Sequence, residues 1–170
     1  RLLDWQDPDL DKKLEKHDIV IASRSVGMMD LGKLTGYARK YAVCIAWANA
    51  PNIPEISGYL FEGIEIPGQR KMPPMRRDRR LGYNVVYNMV YDLGYDPNIK
   101  IVKDGFTKKY TTREEAYADL RLLRDPFPED QMPVFRNNVD KFLTENADGS
   151  VTYCCETKSY VLWWKPERNE

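Results

Sequence analysis

The stretch Asp18-Ile-Val-Ile-Ala-Ser-Arg-Ser-Val-Gly27 decides the fold expected for this chain. It begins with an unbroken apolar run, Ile19 to Ala22, that is rich in β-branched side chains. Such a run is typical of a strand buried on both faces, which is the usual state of strands in a parallel sheet. The run stops at Ser23-Arg24-Ser25, and the glycine that closes the stretch permits a sharp turn.

The residues after this stretch complete a strand–helix–strand unit. Asp30 stands at a helix N-cap position, and an amphipathic segment follows from Leu31 to Tyr41. A second apolar run, Ala42 to Ala48, predicts the next strand. The two strands should be parallel and joined by a right-handed crossover, in an α/β fold whose mixed sheet carries helices on its faces. Because ligands bind beyond the carboxyl ends of strands in open α/β sheets, the segment Ser23-Arg24-Ser25 is a candidate ligand site.

Charge and composition exclude several classes of protein. The 170 residues carry 26 Lys and Arg against 26 Asp and Glu, so no net charge draws the whole chain toward nucleic acid or membrane. No apolar stretch approaches the roughly 20 residues that a membrane-spanning helix needs. Cys44, the adjacent pair Cys154 and Cys155, and the single histidine, His17, lack the spacing of a metal site. These features favour a reducing, cytoplasmic location and argue against a zinc site.

Residues 49–80 differ from the rest because five prolines and three glycines interrupt them. They predict a long connection with a hairpin from Ile56 to Ile66, and connections of this length in compact domains are usually functional or mobile. The segment ends in a basic run from Arg70 to Arg80, with six basic residues against one acid. This run is compatible with a solvated loop, with an anion-binding lid and with a nucleic-acid contact.

The remaining chain alternates helix and strand patterns. Apolar residues at helical spacing predict a helix over 81–93, ended by Gly94, with Leu81, Val85, Met89 and Leu93 on its inner face and Val86 and Val90 widening that face. A short strand is expected over 99–102, and a helix over 132–145. Between them, a helix should run from Thr112 to about Arg124, with a Thr112–Glu115 capping box and with Leu123 facing inward. The chain should close with a hairpin of Val151 to Cys155 and Ser159 to Trp164.

Self-contained catalytic motifs are absent from the sequence. No Gly-x-Gly occurs, so there is neither a dinucleotide fingerprint nor a phosphate-binding P-loop. No Gly-x-Ser-x-Gly nucleophile elbow occurs either. His17 begins the first strand, at the end opposite the expected ligand side, so a Ser-His or Cys-His arrangement is not expected. The pattern therefore assigns no catalytic residue.

The order of these segments resembles part of a known family. His17-Asp-Ile-Val-Ile-Ala-Ser-Arg-Ser25, the helix opening at Asp30-Leu31, and Tyr41-Ala-Val-Cys-Ile-Ala46 are similar to the fourth strand, following helix and fifth strand of class I S-adenosylmethionine-dependent methyltransferases. The later segments Tyr87 to Gly94, Tyr110 to Ala116 and Tyr160 to Trp164 look like the rest of that domain, which ends with an antiparallel strand. The resemblance covers nearly all of the chain.

The resemblance implies an incomplete domain. The family binds its cofactor through a glycine-rich loop after the first strand and an acid ending the second, and neither lies in this sequence. The chain would then be the C-terminal half of a single Rossmann-like methyltransferase domain, 1–170, with 49–80 as an inserted lid or substrate loop. S-adenosylmethionine would be the cofactor of the complete protein, and the methyl acceptor is not identified. The implied cofactor contacts are Trp5, near the adenine, and Ser23, Arg24 and Ser25; the implied substrate contacts are Asn49, Arg76, Arg77 and Tyr83.

Two further expectations accompany this interpretation. Because strand four lies beside strand one in the complete family sheet, the strand at 18–23 would here be an open apolar edge that pairs with a second copy in a homodimer. The alternative function is a non-catalytic α/β module that binds an anionic partner or nucleic acid through Arg70 to Arg80. A flavodoxin-like enzyme is a third possibility, disfavoured because no phosphate loop is visible.

Overall fold

The computed structural model describes residues 3–48, 53–65 and 82–168. The chain is an α/β protein with a mixed, open sheet, and it divides into two compact units. Unit 1 comprises Arg1–Ala50, Arg77–Val102 and Lys158–Glu170, and unit 2 comprises Pro51–Arg76 and Lys103–Thr157.

Five strands and six α-helices make up the described chain. The strands are β1 (His17–Ser23), β2 (Ala38–Trp47), β3 (Asn98–Tyr110), β4 (Leu143–Glu145) and β5 (Val151–Trp164). The helices are α1 (Leu10–Lys13), α2 (Leu31–Gly36), α3 (Ile53–Leu60), α4 (Tyr83–Asp92), α5 (Arg113–Arg121) and α6 (Met132–Asp140), with 3₁₀ turns at Val26–Met29 and Glu129–Gln131. The hydrogen-bonded strand order is β1-β2-β5-β3, with β4 paired to β5.

Unit 1 contains the predicted parallel strand pair. β1 pairs with β2 in parallel, from His17 beside Ala38 to Ser23 beside Ile45. The register shifts between His17 and Ile19, because β2 has one extra residue opposite Asp18. β2 pairs on its other side with β5, which is antiparallel to it. The predicted strand–helix–strand unit with parallel strands is therefore confirmed.

One face of the unit 1 strands carries the core. Alternate residues of β2, among them Ala42 and Cys44, pack with Leu162 and Trp164 of β5 beneath α2 and α4. The Trp164 indole N–H donates a hydrogen bond to Thr35 Oγ1 over 2.9 Å, so the largest buried side chain of this core has its polar atom satisfied.

The expectation that the first strand is buried on both faces is wrong. Ile19 and Ile21 point to one face of the strand and are 55% and 60% exposed. Ala22 points to the other face and is 2% exposed. β1 stands at the end of the strand order and pairs only with β2 among the described residues. Among these residues, β1 is thus an edge strand with one covered face.

The predicted first helix is too long. Asp30 does cap α2, its Oδ1 accepting the Lys33 N–H over 2.9 Å, but α2 ends at Gly36 and β2 begins at Ala38. Two glycines in a six-residue helix weaken it, whereas the His17 N–H bonds to the Tyr37 carbonyl and starts the strand ladder. Residues from Ala38 onward therefore belong to a paired strand, although the local helical pattern predicted them to be part of the helix.

α4 confirms the predicted helix, its Gly94 stop and part of its inner face. Gly94 has φ 87° and follows the C-cap residue, so glycine is required there. Val86 and Val90 of the predicted face pack on the core, whereas its residues Val85, Met89 and Leu93 are exposed, with Met89 at 45%; Leu81 lies outside the described residues. Tyr83 and Tyr87 also pack on this core, and Tyr83 lies on Tyr160 at 6.1 Å between ring centres.

Unit 2 has a separate core built on three phenylalanines. Phe61, Phe127 and Phe135 lie 5.1 to 5.9 Å apart between ring centres, and α5 and α6 pack around them. The predicted hairpin from Ile56 to Ile66 is wrong, because α3 and a turn occupy the described part of that segment. Ile56 and Leu60 lie one helical turn apart and are both buried.

The helices of unit 2 are shorter than predicted. α5 starts with the predicted cap, in which Thr112 Oγ1 accepts the Glu115 N–H over 3.2 Å. It ends at Arg121, and Leu123, expected to face inward, is 48% exposed. The helix expected over 132–145 is split into α6 and β4, because residues 143–145 pair with β5.

The two strand predictions near the end of the chain also need correction. The expected strand over 99–102 is the first part of β3, which continues to Tyr110. The expected closing hairpin is one strand, β5, and its hairpin partner is β4, joined through Gly149 at φ 78°. Residues 156–158, expected as the turn of that hairpin, are extended and lie within β5.

Candidate functional site

The carboxyl ends of β1 and β2 form the candidate site. Ser23 ends β1 beside Ile45, and β2 ends two residues later at Trp47. Ser23, Arg24 and Ser25 follow one another there and are all exposed. Their placement agrees with the expectation that polar side chains gather at the ligand-binding end of a parallel pair.

Arg24 has a strained backbone. Its φ is 46°, and it is the single non-glycine residue with positive φ among the described residues. A residue with a Cβ pays free energy to adopt this left-handed conformation, and such strain persists only where the surrounding contacts impose it. The Arg24 N–H donates to the Ile45 carbonyl over 2.9 Å, which holds the turn against β2.

The Arg24 side chain is anchored by two residues of neighbouring strands. Its Nη2 donates to Ser159 Oγ over 2.6 Å, and its guanidinium lies 4.9 Å from the centre of the Trp47 ring. Trp47 and Ser159 are partners in the β2–β5 ladder, so one cross-strand pair holds both contacts. The hydrogen bond and the cation–π contact together fix the arginine that separates the two exposed serines.

The chain after Arg24 is shaped by close packing. Ser25 is the N-cap of the Val26–Met29 turn, and its carbonyl accepts the Met28 N–H over 3.1 Å. Gly27 is buried, and a Cβ there would lie 3.3 Å from the Ala22 Cβ. Gly27 is therefore needed for close approach to β1, and its φ is not in the left-handed region.

Trp5, the fourth implied cofactor contact, is not brought to this end. Its ring packs edge-on against Tyr37, at 5.8 Å between ring centres, and its carbonyl accepts a hydrogen bond from Lys33 Nζ over 2.7 Å. Tyr37 immediately precedes β2 and bonds to His17 at the amino end of β1. Six residue steps of β1, about 20 Å, separate that end from Ser23. Trp5 acts here as a packing residue.

A cavity of about 450 Å³ lies near Trp5, at the amino ends of the strands. Its lining includes Lys16, Lys33 and Tyr37, together with Asp11. The Tyr37 hydroxyl donates a hydrogen bond to the Asp11 carboxylate, which raises the pKa of Tyr37 to about 12. The Tyr37–Asp11 hydrogen bond is therefore part of the cavity lining, and none of Ser23, Arg24 and Ser25 lines the cavity.

The implied substrate residues fall into two groups. Tyr83 is described, and it packs on Tyr160, the neighbour of Ser159 in β5. Asn49, Arg76 and Arg77 lie outside the described residues, as does the whole basic run 70–80. Successive strand residues point to opposite faces, so Tyr83 contacts the face opposite the one that carries Ser159 and Trp47.

No described side chain at this end is tuned for proton transfer near neutral pH. Burial raises the pKa of the Cys44 thiol to about 12, so this cysteine stays protonated and unreactive. Burial likewise raises the pKa of Tyr160 to about 12. The arrangement can therefore orient and hydrogen-bond a ligand, and it assigns no general acid or base among the described residues.

Sequence reasoning missed two residues of the site, Trp47 and Ser159. Ser159 is 1% exposed, which is unusual for a hydroxyl side chain unless it is hydrogen-bonded. Its role became visible only through pairing with Trp47, a residue more than a hundred positions away. The usable sequence signal was a small polar residue beginning an otherwise apolar run, Ser159 to Trp164.

Comparisons with known proteins give no family for this chain: no family model matches it, and a search of curated proteins finds no relative. Within residues 3–48, 53–65 and 82–168, no three His, Cys, Asp or Glu side chains are grouped to hold a metal ion. In the same part of the chain no helix combines the length and apolarity needed to cross a membrane.

Proposed function

We propose that this chain supplies the C-terminal part of a class I S-adenosylmethionine-dependent methyltransferase domain, with Ser23, Arg24 and Ser25 at the rim of the methyl-transfer site. The observation that carries the proposal is the strained Arg24 turn at the carboxyl end of a parallel β–α–β unit. Strain of this kind is concentrated at ligand sites, and this end of the sheet is where open α/β folds bind ligands.

The arrangement of strands supports the same function. β1, α2 and β2 follow one another as the fourth strand, helix and fifth strand of the family would, and the last strand of the chain is antiparallel to β2. β1 is an edge strand, so a further strand can pair with it. The family sheet has its first strand at this position.

The described residues fit one part of the cofactor. The exposed hydroxyls of Ser23 and Ser25 can hydrogen-bond to a carboxylate or a ribose hydroxyl. The glycine-rich loop and the acid of the family are not in this sequence, so the chain offers one wall of a pocket. S-adenosylmethionine supplies a methyl group already activated on a sulfonium sulfur, so the protein mainly aligns donor and acceptor.

Arg24 is a positioning residue in this proposal. Its guanidinium is held by Ser159 and Trp47, and its backbone holds the two serines on either side of a sharp turn. Loss of the side chain would remove the contacts to Ser159 and Trp47 and leave the turn held by the Arg24 N–H bond to the Ile45 carbonyl, with both serine hydroxyls still present. We would then expect the ligand to keep its hydrogen bonds to the serines but to be less well aligned for methyl transfer.

Calorimetry with S-adenosylhomocysteine on two proteins tests the proposal. The 170-residue chain should bind with a dissociation constant weaker than about 1 mM, because most of the cofactor contacts are missing. The protein translated from the complete reading frame should bind in the micromolar range and transfer a tritiated methyl group. In that protein, Arg24→Ala and Ser25→Ala should each reduce transfer at least about tenfold, the loss expected when alignment is impaired.

Thr107→Ala, an exposed hydroxyl of unit 2, is the matched control and should leave transfer unchanged. Micromolar binding by the 170-residue chain alone would contradict the incomplete-domain interpretation. The methyltransferase proposal itself would be overturned by two results together: the complete reading frame encodes no glycine-rich turn, and its protein does not bind S-adenosylhomocysteine.

The rival module that binds an anionic partner depends on residues 70–80, which are outside the described residues. A fluorescent single-stranded oligonucleotide separates the two functions. Binding that weakens steeply with salt and is lost in the Arg76, Arg77, Arg79 and Arg80 to Ala variant would favour the module. Oligonucleotide binding that does not depend on these four arginines would count against the module.

A further inference from the structure

Among the described residues, unit 1 has a strand face with exposed and partly exposed apolar side chains. In the registers of β1, β2 and β5, the side chains opposite the core face are apolar except at the site end, where Ser23 and Ser159 lie on the same face. None of the eight apolar ones is fully buried, and we call these the open face: Ile19, Ile21, Tyr41, Val43, Ile45, Trp47, Val161 and Trp163. Strands in parallel pairs are normally covered on both faces, so an apolar face of this kind indicates a surface that pairs with something.

Exposure on the open face is greatest at the β1 edge. Ile19 and Ile21 are 55% and 60% exposed, and Tyr41, which pairs with Ile19, is 37% exposed. The residues farther from the edge, such as Ile45 and Val161, are partly buried. An occupant that covers the most exposed part must therefore lie beside β1.

We infer that a second copy of this chain pairs its β1 with β1 in an antiparallel ladder, about a two-fold axis at Val20. β1 has seven residues, and Val20 is its midpoint. An antiparallel pair centred there sets Ile19 opposite Ile21 of the second copy and Ile21 opposite its Ile19. Each exposed isoleucine gains an apolar neighbour, and the free hydrogen-bonding edge of β1 is satisfied at the same time.

The symmetric spacing of β1 is what selects a second copy as the occupant. In the register centred at Val20, His17 lies opposite Ser23 and Asp18 lies opposite Ala22. No two like charges oppose each other within the strand, so the pairing costs no repulsion. A two-fold axis requires that one surface match itself, and the register centred at Val20 does so by setting isoleucine against isoleucine with no like charges opposed.

The charged residue at the amino end of β1, Asp18, is compatible with this register because it is paired within its own chain. Asp18 is held by Arg39 and Lys40, at 3.0 and 2.7 Å, in the bulge on the β2 side. These contacts turn the carboxylate toward its own copy. The inference uses no cofactor residue, but it uses the same edge of β1 that the proposed function gives to a further strand, so it concerns the 170-residue chain in which that edge is open.

Light scattering after size exclusion tests the inference on the 170-residue chain. At about 50 µM, a mass twice 19.9 kDa is expected. The Ile19→Lys, Ile21→Lys double variant should raise the dimer dissociation constant at least about tenfold, because four lysines would be brought together at the axis. Met29→Lys, at a residue that is 86% exposed and outside the open face, should leave the dimer unchanged.

A cysteine at the axis tests the register. In a Cys154→Ser background, which removes the exposed native thiol, Val20→Cys should form a covalent dimer on mild oxidation, because position 20 faces itself. Asp18→Cys, two residues from the axis, should not. Circular dichroism and the thermal midpoint show whether each variant is folded.

Three results would overturn the inference. They are a monomer at 50 µM for the unmodified chain, a dimer that survives both lysine substitutions, and oxidative cross-linking at position 18 that equals or exceeds that at position 20. A complete reading frame that is monomeric while the 170-residue chain dimerises would agree with the inference, because a family-like first strand would then occupy the same edge.

Discussion

The two units treat the uncovered sides of their strands in opposite ways, and β5 shows the difference along one strand. In unit 2, the residues of β5 that point away from the core are Thr152, Cys154 and Glu156. In unit 1, the corresponding residues are Val161 and Trp163. A polar outer face is what an antiparallel strand facing water requires, whereas an apolar one indicates a face built to be covered.

The cores differ in the same sense. In unit 2, buried apolar side chains pack around Phe61, Phe127 and Phe135. An ion pair between Arg113 and Asp140, at 2.6 Å, joins α5 to α6. The unit 1 core covers one side of its strands and leaves the open face and the β1 edge exposed.

The largest expected effect contrasts the closed core with the open face. Phe135 is fully buried, so Phe135→Ala should lower the free energy of unfolding by about 3–5 kcal/mol. Ile21→Ala removes a side chain that is 60% exposed and should cost under about 1 kcal/mol in the monomer. Urea denaturation at a concentration where the chain is monomeric measures both. Equal losses would remove the distinction between the two faces.

Alkaline pH should weaken each core through its own buried tyrosine. Burial raises the pKa of Tyr153 in unit 2 and of Tyr160 in unit 1 to about 12, from about 10 in the unfolded chain. A raised pKa means that the folded state favours the neutral phenol. Its contribution to stability is fully present below pH 10 and is lost as the pH rises from 10 to 12, by up to about 1.4 kcal/mol per pH unit for each tyrosine.

Tyr153→Phe and Tyr160→Phe should each reduce this loss of stability. Urea denaturation at pH 9 and pH 11 measures the difference, and hydrogen exchange assigns it to unit 1 or unit 2. Tyr91→Phe, at an exposed tyrosine, is the control. If the unmodified chain were equally stable at both pH values, the buried phenols would not be titrating with unfolding.

The smallest expected effect compares two helix caps, one in each unit. Thr112 caps the nine-residue α5, and Asp30 caps the six-residue α2. Thr112→Ala and Asp30→Ala should each cost about 1 kcal/mol, because each removes an acceptor from an otherwise unpaired N–H. Hydrogen exchange should show the loss confined to the helix that contains the substitution. Protection lost across both units in either variant would contradict two separate cores.

Local patterns predicted the parts of the fold that depend on neighbouring residues. Asp30 and Thr112 as caps, Gly94 as a stop and the apolar run of β1 were all correct, because each follows from contacts within about four positions. The same local reasoning failed at α2, whose predicted length gave way to strand pairing at Ala38. The hydrogen bonds of that ladder come from β1, outside the window of the helical pattern.

The candidate site was half predictable for the same reason. The sequence by itself determined that Ser23-Arg24-Ser25 lies at the carboxyl end of a strand in a parallel pair, and ligand binding there stays a prediction. Only the tertiary structure decided that Ser159 and Trp47 hold Arg24, that Trp5 lies at the other end, and that one face of β1 is bare. Strand propensity is local, whereas burial depends on which distant segment pairs with each strand and which of its faces receives a helix.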